Sequence, residues 1–291
     1  MEKVEKAILC SGYQITIFGI FGNSLSLCYF LSQTTSNSQL RNTETSTTNL
    51  FVMLNCFDLL VCMSGFVLLF DSGHEGTSHY DYINPIFMAS VEMTYFITCL
   101  LSIRRLVNLM WPLYLVIRKT LNIAIAIFSC MMVAIEIILS SLSNSEVTEY
   151  VEKVRCVVLF SLIVIIISSS VISFMKLNQS YTQDQHRRTR YATVTVGILS
   201  TVFCVCNIVP LILSGLLAFR PKGVKSIPSI VNITVKLVQS VLLPLNSACN
   251  PVVYITRRSD MRTFLTTKCR GVIRYCKCGS GDTGGRSGEE T

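Results

Sequence analysis

Charge is scarce in this chain. Only 14% of its residues are Asp, Glu, Lys or Arg, against 51% hydrophobic, where an ordinary soluble domain carries about 25% charged residues. That excludes an average water-soluble domain. Histidine is scarcer still: His74, His79 and His186 stand apart in polar connections. There is no Cys/His metal spacing and no Gly-rich phosphate loop, so no enzyme constellation is present. No cleavable signal peptide is expected either. The first nine residues hold four charges, and the apolar run behind them is long enough to span a bilayer, so it reads as a signal anchor and first span. A transporter is expected to show an inverted repeat with broken helices in both halves. Here only the prolines late in the chain, Pro210 and Pro251, break apolar segments in that way.

What the chain does have is long apolar blocks. A hydrocarbon core of ~30 Å needs ~20 residues of helix at ~1.5 Å each. Seven blocks of that order occur, at about 10–31, 48–70, 84–108, 121–142, 156–177, 192–219 and 230–256. Short connections leave no room for a large soluble domain. With the N-terminus outside, Lys3, Lys6, Lys153, Arg155, Arg220, Lys222, Lys225 and Lys236 lie outside, and the other 17 of 25 basic residues lie inside. The bias of Lys and Arg toward the cytoplasmic face favours that orientation. The net charge of +8 then sits mostly near anionic lipid and needs no nucleic acid. Most of the 13 cysteines fall within the blocks as packing residues; only Cys10 and Cys156 fall near the outer face, where a bridge between them is an open alternative.

The seventh block ends in LPLNSACNPVVYITRRSDMR, residues 243–262. Pro251 removes a backbone hydrogen bond inside a membrane helix, and neighbouring polar groups must satisfy the carbonyl it frees. Asn246, Ser247 and Asn250 next to that break need a polar cavity to face. This stretch resembles the Asn-Pro-x-x-Tyr end of the seventh helix of rhodopsin-like G-protein-coupled receptors, with Asn250, Pro251 and Tyr254 in the motif positions. The resemblance continues in Gly22-Asn23 of the first block and in Asp58 of the second. Asp58 is an ionisable residue near mid-membrane, costing ~2.5–3.5 kcal/mol on insertion scales unless it faces a wet cavity. In the third block Arg104-Arg105-Leu106 falls at the family's Asp/Glu-Arg-Tyr triplet, with Pro112-Leu113 following at the family's spacing. Thr94, three turns before Arg105, is placed level with Asp58. The resemblance implies one cavity lined by Asn23, Asp58, Thr94, Asn246, Ser247 and Asn250. In the family that cavity binds sodium, and ordered water is the alternative.

The departures are specific. Arg104 stands where relatives carry an acid that pairs with the arginine, so the resting state is either loosely latched or held by another contact. The place for the usual outer cysteine of the third helix falls near Tyr80. The fourth block lacks the usual tryptophan, the only one being Trp111. The fifth has no proline where relatives kink. In the sixth, Phe203 and Cys206 match the family's Phe-x-x-Cys-Trp-x-Pro. Asn207 stands for the tryptophan, and Pro210 comes one residue late. Phe87 takes the position of the acidic anchor of amine receptors, which argues against an amine held in that way. Phe87, Glu92, Asn207 and Lys236 are the ligand-contact candidates. Glu92 lies roughly 20 Å from Arg105 along the helix; it and Glu136 remain open to a polar contact or a buried pairing.

After Tyr254, Met261, Phe264 and Leu265 recur at helical spacing among basic residues, predicting a short amphipathic eighth helix on the membrane surface. Cys269, Cys276 and Cys278 among Lys and Arg resemble palmitoylation sites. The expected organisation is an extracellular 1–9, an all-α seven-helix receptor domain with the eighth helix over 10–265, and a lipidated, then disordered tail over 266–291. The resemblance implies a plasma-membrane receptor for an extracellular ligand that activates a heterotrimeric G protein by outward movement of the sixth helix. Arg104, Arg105, Pro210, Asn250, Pro251 and Tyr254 would form its switch. The short start leaves no hormone-binding ectodomain expected. A receptor-fold protein that does not couple, or less readily a transporter, is the alternative.

Overall fold

A computed structural model describes residues 2–36, 42–71, 80–110, 145–179, 183–219 and 229–267, and no strand occurs among them. We label the helices α1 (Glu2–Ser36), α2 (Asn42–Asp71), α3 (Tyr80–Met110), α4 (Ser145–Gln179), α5 (Gln183–Ala218), α6 (Ser229–Leu237) and α7 (Leu243–Arg257), with a π-helical turn at Val238–Leu242 joining the last two. Residues 259–267 are again helical, and we call them α8. The fourth apolar block with Glu136, the Trp111-Pro112-Leu113 segment, and Cys269, Cys276 and Cys278 lie outside the described residues.

Five helices are long and apolar enough to cross a membrane: Lys3–Thr34, Thr47–Phe70, Ile83–Val107, Lys153–Lys176 and Thr193–Leu213. They coincide with the first, second, third, fifth and sixth blocks of the sequence. Their surface polarity is reversed relative to a water-soluble bundle. Phe21, Phe160 and Val205 are 60% or more exposed, whereas Asn23, Asp58 and Asn207 are 0% exposed. A fold built for water buries the first kind and exposes the second. A fold built for hydrocarbon does the opposite, because in lipid the apolar side chain has nothing to gain from the interior and the polar one has everything to lose outside it. Over the described residues the chain is therefore helical and of membrane-embedded type.

The helices form a closed circuit among the described residues. α1 packs on α2, α2 on α3, α3 on α4, α4 on α5, α5 on α7, and α7 back on α1, while α3 also touches α5 and α2 touches α7. α7 thus meets α1, α2 and α5, so polar groups placed on it reach three neighbours.

The seventh block is continuous but irregular. Pro244 has no N–H for the Ser240 carbonyl one turn back, and the ladder slips by one residue there: Leu243 N–H donates to Val238 O, an i→i+5 bond. This π turn explains why the block is not one straight α-helix. α1 is shaped to meet it. A Cβ on Gly12 would stand 2.7 Å from the Ser240 carbonyl oxygen, so only a glycine allows this approach.

Candidate functional site

The second break in the seventh block builds the polar centre. Pro251 lacks the N–H that would bond Ser247 O. In the folded protein Asn23 of α1 supplies the substitute, its Nδ2 donating to Ser247 O at 3.1 Å and to Gly19 O at 2.9 Å. Gly22 lets α1 come close enough, since a Cβ there would lie 3.0 Å from the Pro251 ring. Gly22-Asn23 is thus a docking piece for a proline break on another helix, 224 residues away in sequence.

One turn further, Asn250 Nδ2 donates to Asp58 Oδ2 at 2.6 Å. Asp58 is fully buried, and the Ser247 side chain lies beside its carboxyl group. Its counterpart among the described residues is thus an amide rather than a cation. The oxygens facing inward are only partly used: Asn23 Oδ1, Asp58 Oδ1 and Asn246 Oδ1 are buried without a protein hydrogen-bond partner. Unmet acceptors of this kind are costly in a membrane interior. A buried carboxylate oxygen left without a protein donor fits a hard monovalent cation or ordered water. Asp58 would hold it, with the Asn250 and Ser247 side chains beside the same carboxyl group. Thr94 is buried in α3, but its hydroxyl donates to Val91 O of its own helix at 2.7 Å. A cavity of about 10 Å³ touches Asn250, Thr98 and Ser200, about the space of one water.

Toward the C-terminal end of α7, Tyr254 is fully buried in an aromatic box. Its ring meets Phe30 edge-on at 5.3 Å and Phe51 at 5.4 Å, and the Arg258 guanidinium lies over both phenyl rings, 5.1 and 5.0 Å from their centroids. Met261 of α8 is fully buried against the same cluster, with Phe264 and Leu265 partly buried beside it. The stripe read from the sequence therefore faces protein, and Phe264 stacks edge-on with Tyr29 at 5.5 Å.

Arg105 has a partner that local sequence could not show. Its Nε donates to Thr193 Oγ1 of α5 at 2.8 Å, and three residues earlier in α3 Ser102 shares a hydroxyl–hydroxyl bond of 3.1 Å with Ser200 of α5. Two polar ties therefore join α3 and α5. Arg104 is half-buried.

At the other end of α3 a cavity of about 120 Å³ opens between α3, α4, α5 and the seventh block. Its lining is mainly apolar, with Val91, Leu159 and Val238 among the contacts, and its polar residues among those described are Glu92, Arg155 and Tyr95. These two form an ion pair through Arg155 Nε and Glu92 Oε1, with side chains 13% and 6% exposed respectively. Pro210 lines the same cavity from α5. Of the four candidates for ligand contact, Glu92 lies there. Phe87 is buried against Gly65 instead, and Asn207 is buried with its Nδ2 donating to Phe203 O at 2.7 Å within its own helix. Lys236 falls in α6, one position after the cavity residue Val235.

One pairing is corrected. Cys10 is an exposed free thiol of α1 and Cys156 is buried in α4. No bridge joins them, because α1 packs on α2 and α7 while α4 packs on α3 and α5, on the far side of the circuit. The residues that sequence reasoning missed are Arg155, Thr193, Ser102 and Ser200. Each is an ordinary polar residue at a span end or within an apolar run, and only the facing helix gives it a role. No protein-family model matches the chain, and no curated protein matches it either.

Proposed function

We propose that the chain is a divergent receptor of the rhodopsin-like kind, a seven-helix membrane protein with its N-terminus outside. In this reading it binds an extracellular ligand and activates a heterotrimeric G protein. The observation that carries the reading is the seventh-helix junction. Pro251 frees a carbonyl that Asn23 satisfies, and its neighbour Asn250 holds the buried Asp58. Such a junction spends a carboxylate and a proline deep in the bundle for something other than stability. It leaves α7 tied to α1 and α2 by hydrogen bonds that are rearranged more cheaply than a continuous helix.

The switch follows from the same geometry. Arg105–Thr193 and Ser102–Ser200 hold α5 against α3 in the resting arrangement. Pro210 deprives Cys206 O of its helical donor and gives α5 a weak point between those ties and the cavity it lines. A ligand in the cavity bears on α5 beyond Pro210, and the inner half swings outward as the two ties part. Arg105 and Tyr254 are then freed for the G protein. Asp58, with the Asn250 and Ser247 side chains beside it, would hold a sodium ion or water, which would supply a counter-charge or a donor to the buried carboxylate in the resting state.

The test is basal G-protein activation in cells at matched surface expression. The parent chain is expected to signal weakly, Arg105→Ala to abolish the signal and Arg104→Asp to lower it. Thr193→Val is expected to raise it roughly three- to eighteen-fold, the range set by ~0.6–1.7 kcal/mol for a hydrogen bond between membrane helices. If Thr193→Val is silent while Arg105→Ala abolishes the signal, the latch assignment is wrong. If no variant differs from empty cells across a panel of G proteins, the second reading prevails, a receptor-fold protein that does not couple. Arg104 in the acidic place, and Asn207 in the tryptophan place, are what favour that second reading.

A further inference from the structure

A polar row runs along one face of α3. Thr98, Ser102 and Arg105 follow one another at spacings of four and then three residues, which puts all three on the same side of the helix. α5 carries a matching row in Thr193 and Ser200, seven residues or two turns apart. The rows meet in opposite sense, Arg105 bonding Thr193 and Ser102 bonding Ser200. The cavity of about 10 Å³ touches this double row and a second polar group at once. Thr98 and Ser200 line it together with Asn250, the residue that holds Asp58.

Its size and its wall both fit a single water. A buried water needs ~10–15 Å³ of space and two to four polar partners, three being typical. The wall supplies three such side chains, from α3, α5 and α7, while Leu54 of α2 and Phe203 of α5 add apolar surface. Each of the three has hydrogen-bonding capacity to offer. Ser200 Oγ shares one bond with Ser102, and a hydroxyl can both donate and accept. The Asn250 amide gives one hydrogen to Asp58 and carries a second, besides its carbonyl oxygen. The Thr98 hydroxyl completes the set. A water that donates and accepts among them is nearly as good as a direct bond.

We propose that this cavity is a binding site for one ordered water bridging Thr98, Ser200 and Asn250, and that the water makes the Asp58 centre and the α3–α5 ties a single network. The carboxylate on α2 is then coupled to the ties on α5 without a direct bond to either helix end. The site stands on the fold alone. Its use, as a link between a mid-bundle carboxylate and the latch, rests on the receptor reading above.

The first measurement uses the full chain in lipid nanodiscs, nitrogen-15 labelled at asparagine, and reads magnetisation transfer from long-lived water to the Asn250 side-chain amide. Asn250→Gln identifies that signal by its loss. The parent chain is expected to show the transfer. Thr98→Val combined with Ser200→Ala leaves the site one polar side chain, below the two that a buried water needs, and is expected to abolish it. No transfer in the parent overturns the proposal, whatever the variants do. So does a transfer that survives in the double variant, which marks a different water, such as one at Asp58 itself.

The second measurement is a cycle of Asp58→Asn and Ser102→Ala by reversible SDS unfolding of the full chain in bicelles. These two residues share no bond with each other, so without a link their effects on the unfolding constant simply multiply. With the water in place the double variant should depart from that product by about threefold or more. In a Thr98→Val background the departure should shrink toward onefold. A product that holds in the parent overturns the coupling. A departure of the same size in Thr98→Val overturns the water as its carrier. No G protein enters either measurement, so a chain that passes both yet never signals removes the receptor reading alone.

Discussion

Removing the Asn23 amide tests the junction on which the fold of the seventh block depends. Asn23 Nδ2 reaches Ser247 O at 3.1 Å, and that carbonyl has no helical donor because residue 251 is proline. Asn23→Leu keeps the number and branching of the side-chain heavy atoms but leaves Ser247 O buried and unsatisfied. The cost of such a group is ~1–3 kcal/mol, tempered in membranes, where interhelical bonds average ~0.6 and reach ~1.7 kcal/mol. We expect a loss of about 1–1.5 kcal/mol on those grounds. The decisive arm is Pro251→Ala, which restores an N–H at residue 251 and gives Ser247 O its own partner. In that background Asn23→Leu should cost only ~0.5 kcal/mol, a coupling of about 1 kcal/mol between two residues on different helices. Reversible SDS unfolding of the full chain in bicelles, over the four corners of the cycle, measures it. Equal costs of Asn23→Leu in both backgrounds would refute the argument, because the amide would then be stabilising something other than the proline-freed carbonyl.

Two further expectations follow from contacts on the same helices. Gly12→Ala places a methyl 2.7 Å from the Ser240 backbone oxygen, which cannot rotate away, so the loss in the same unfolding assay should be ~1–3 kcal/mol; a neutral result would mean that α1 does not approach the π turn. The Tyr254 hydroxyl is buried with no well-formed hydrogen bond, only the Asn55 side chain lying near it, whereas its ring packs on Phe30 and Phe51. Tyr254→Phe should be neutral or slightly stabilising, while Tyr254→Ala should lose ~3–5 kcal/mol as large aromatic truncations do; a costly Tyr254→Phe would show that the hydroxyl is engaged.

The amino-acid sequence alone determined that this is a helical membrane protein, because length and hydropathy are local properties and a bilayer reads them directly. It also marked the residues that hydrocarbon would penalise, Asn23, Asp58, Asn250 and Pro251, since a polar group in an apolar run is visible without knowing its neighbours. Their need for partners was legible; the partners were not. That Asn23 answers Pro251, that Thr193 takes Arg105, and that Arg155 pairs with Glu92 depend on how helices rotate against one another. Rotation is set by the packing of whole faces, by where Gly12 and Gly22 let α1 approach, and by the one-residue slip at Val238–Leu242. The same reason separates Cys10 from Cys156: nearness to one membrane face is a one-dimensional fact, and adjacency around the bundle is decided only in three dimensions.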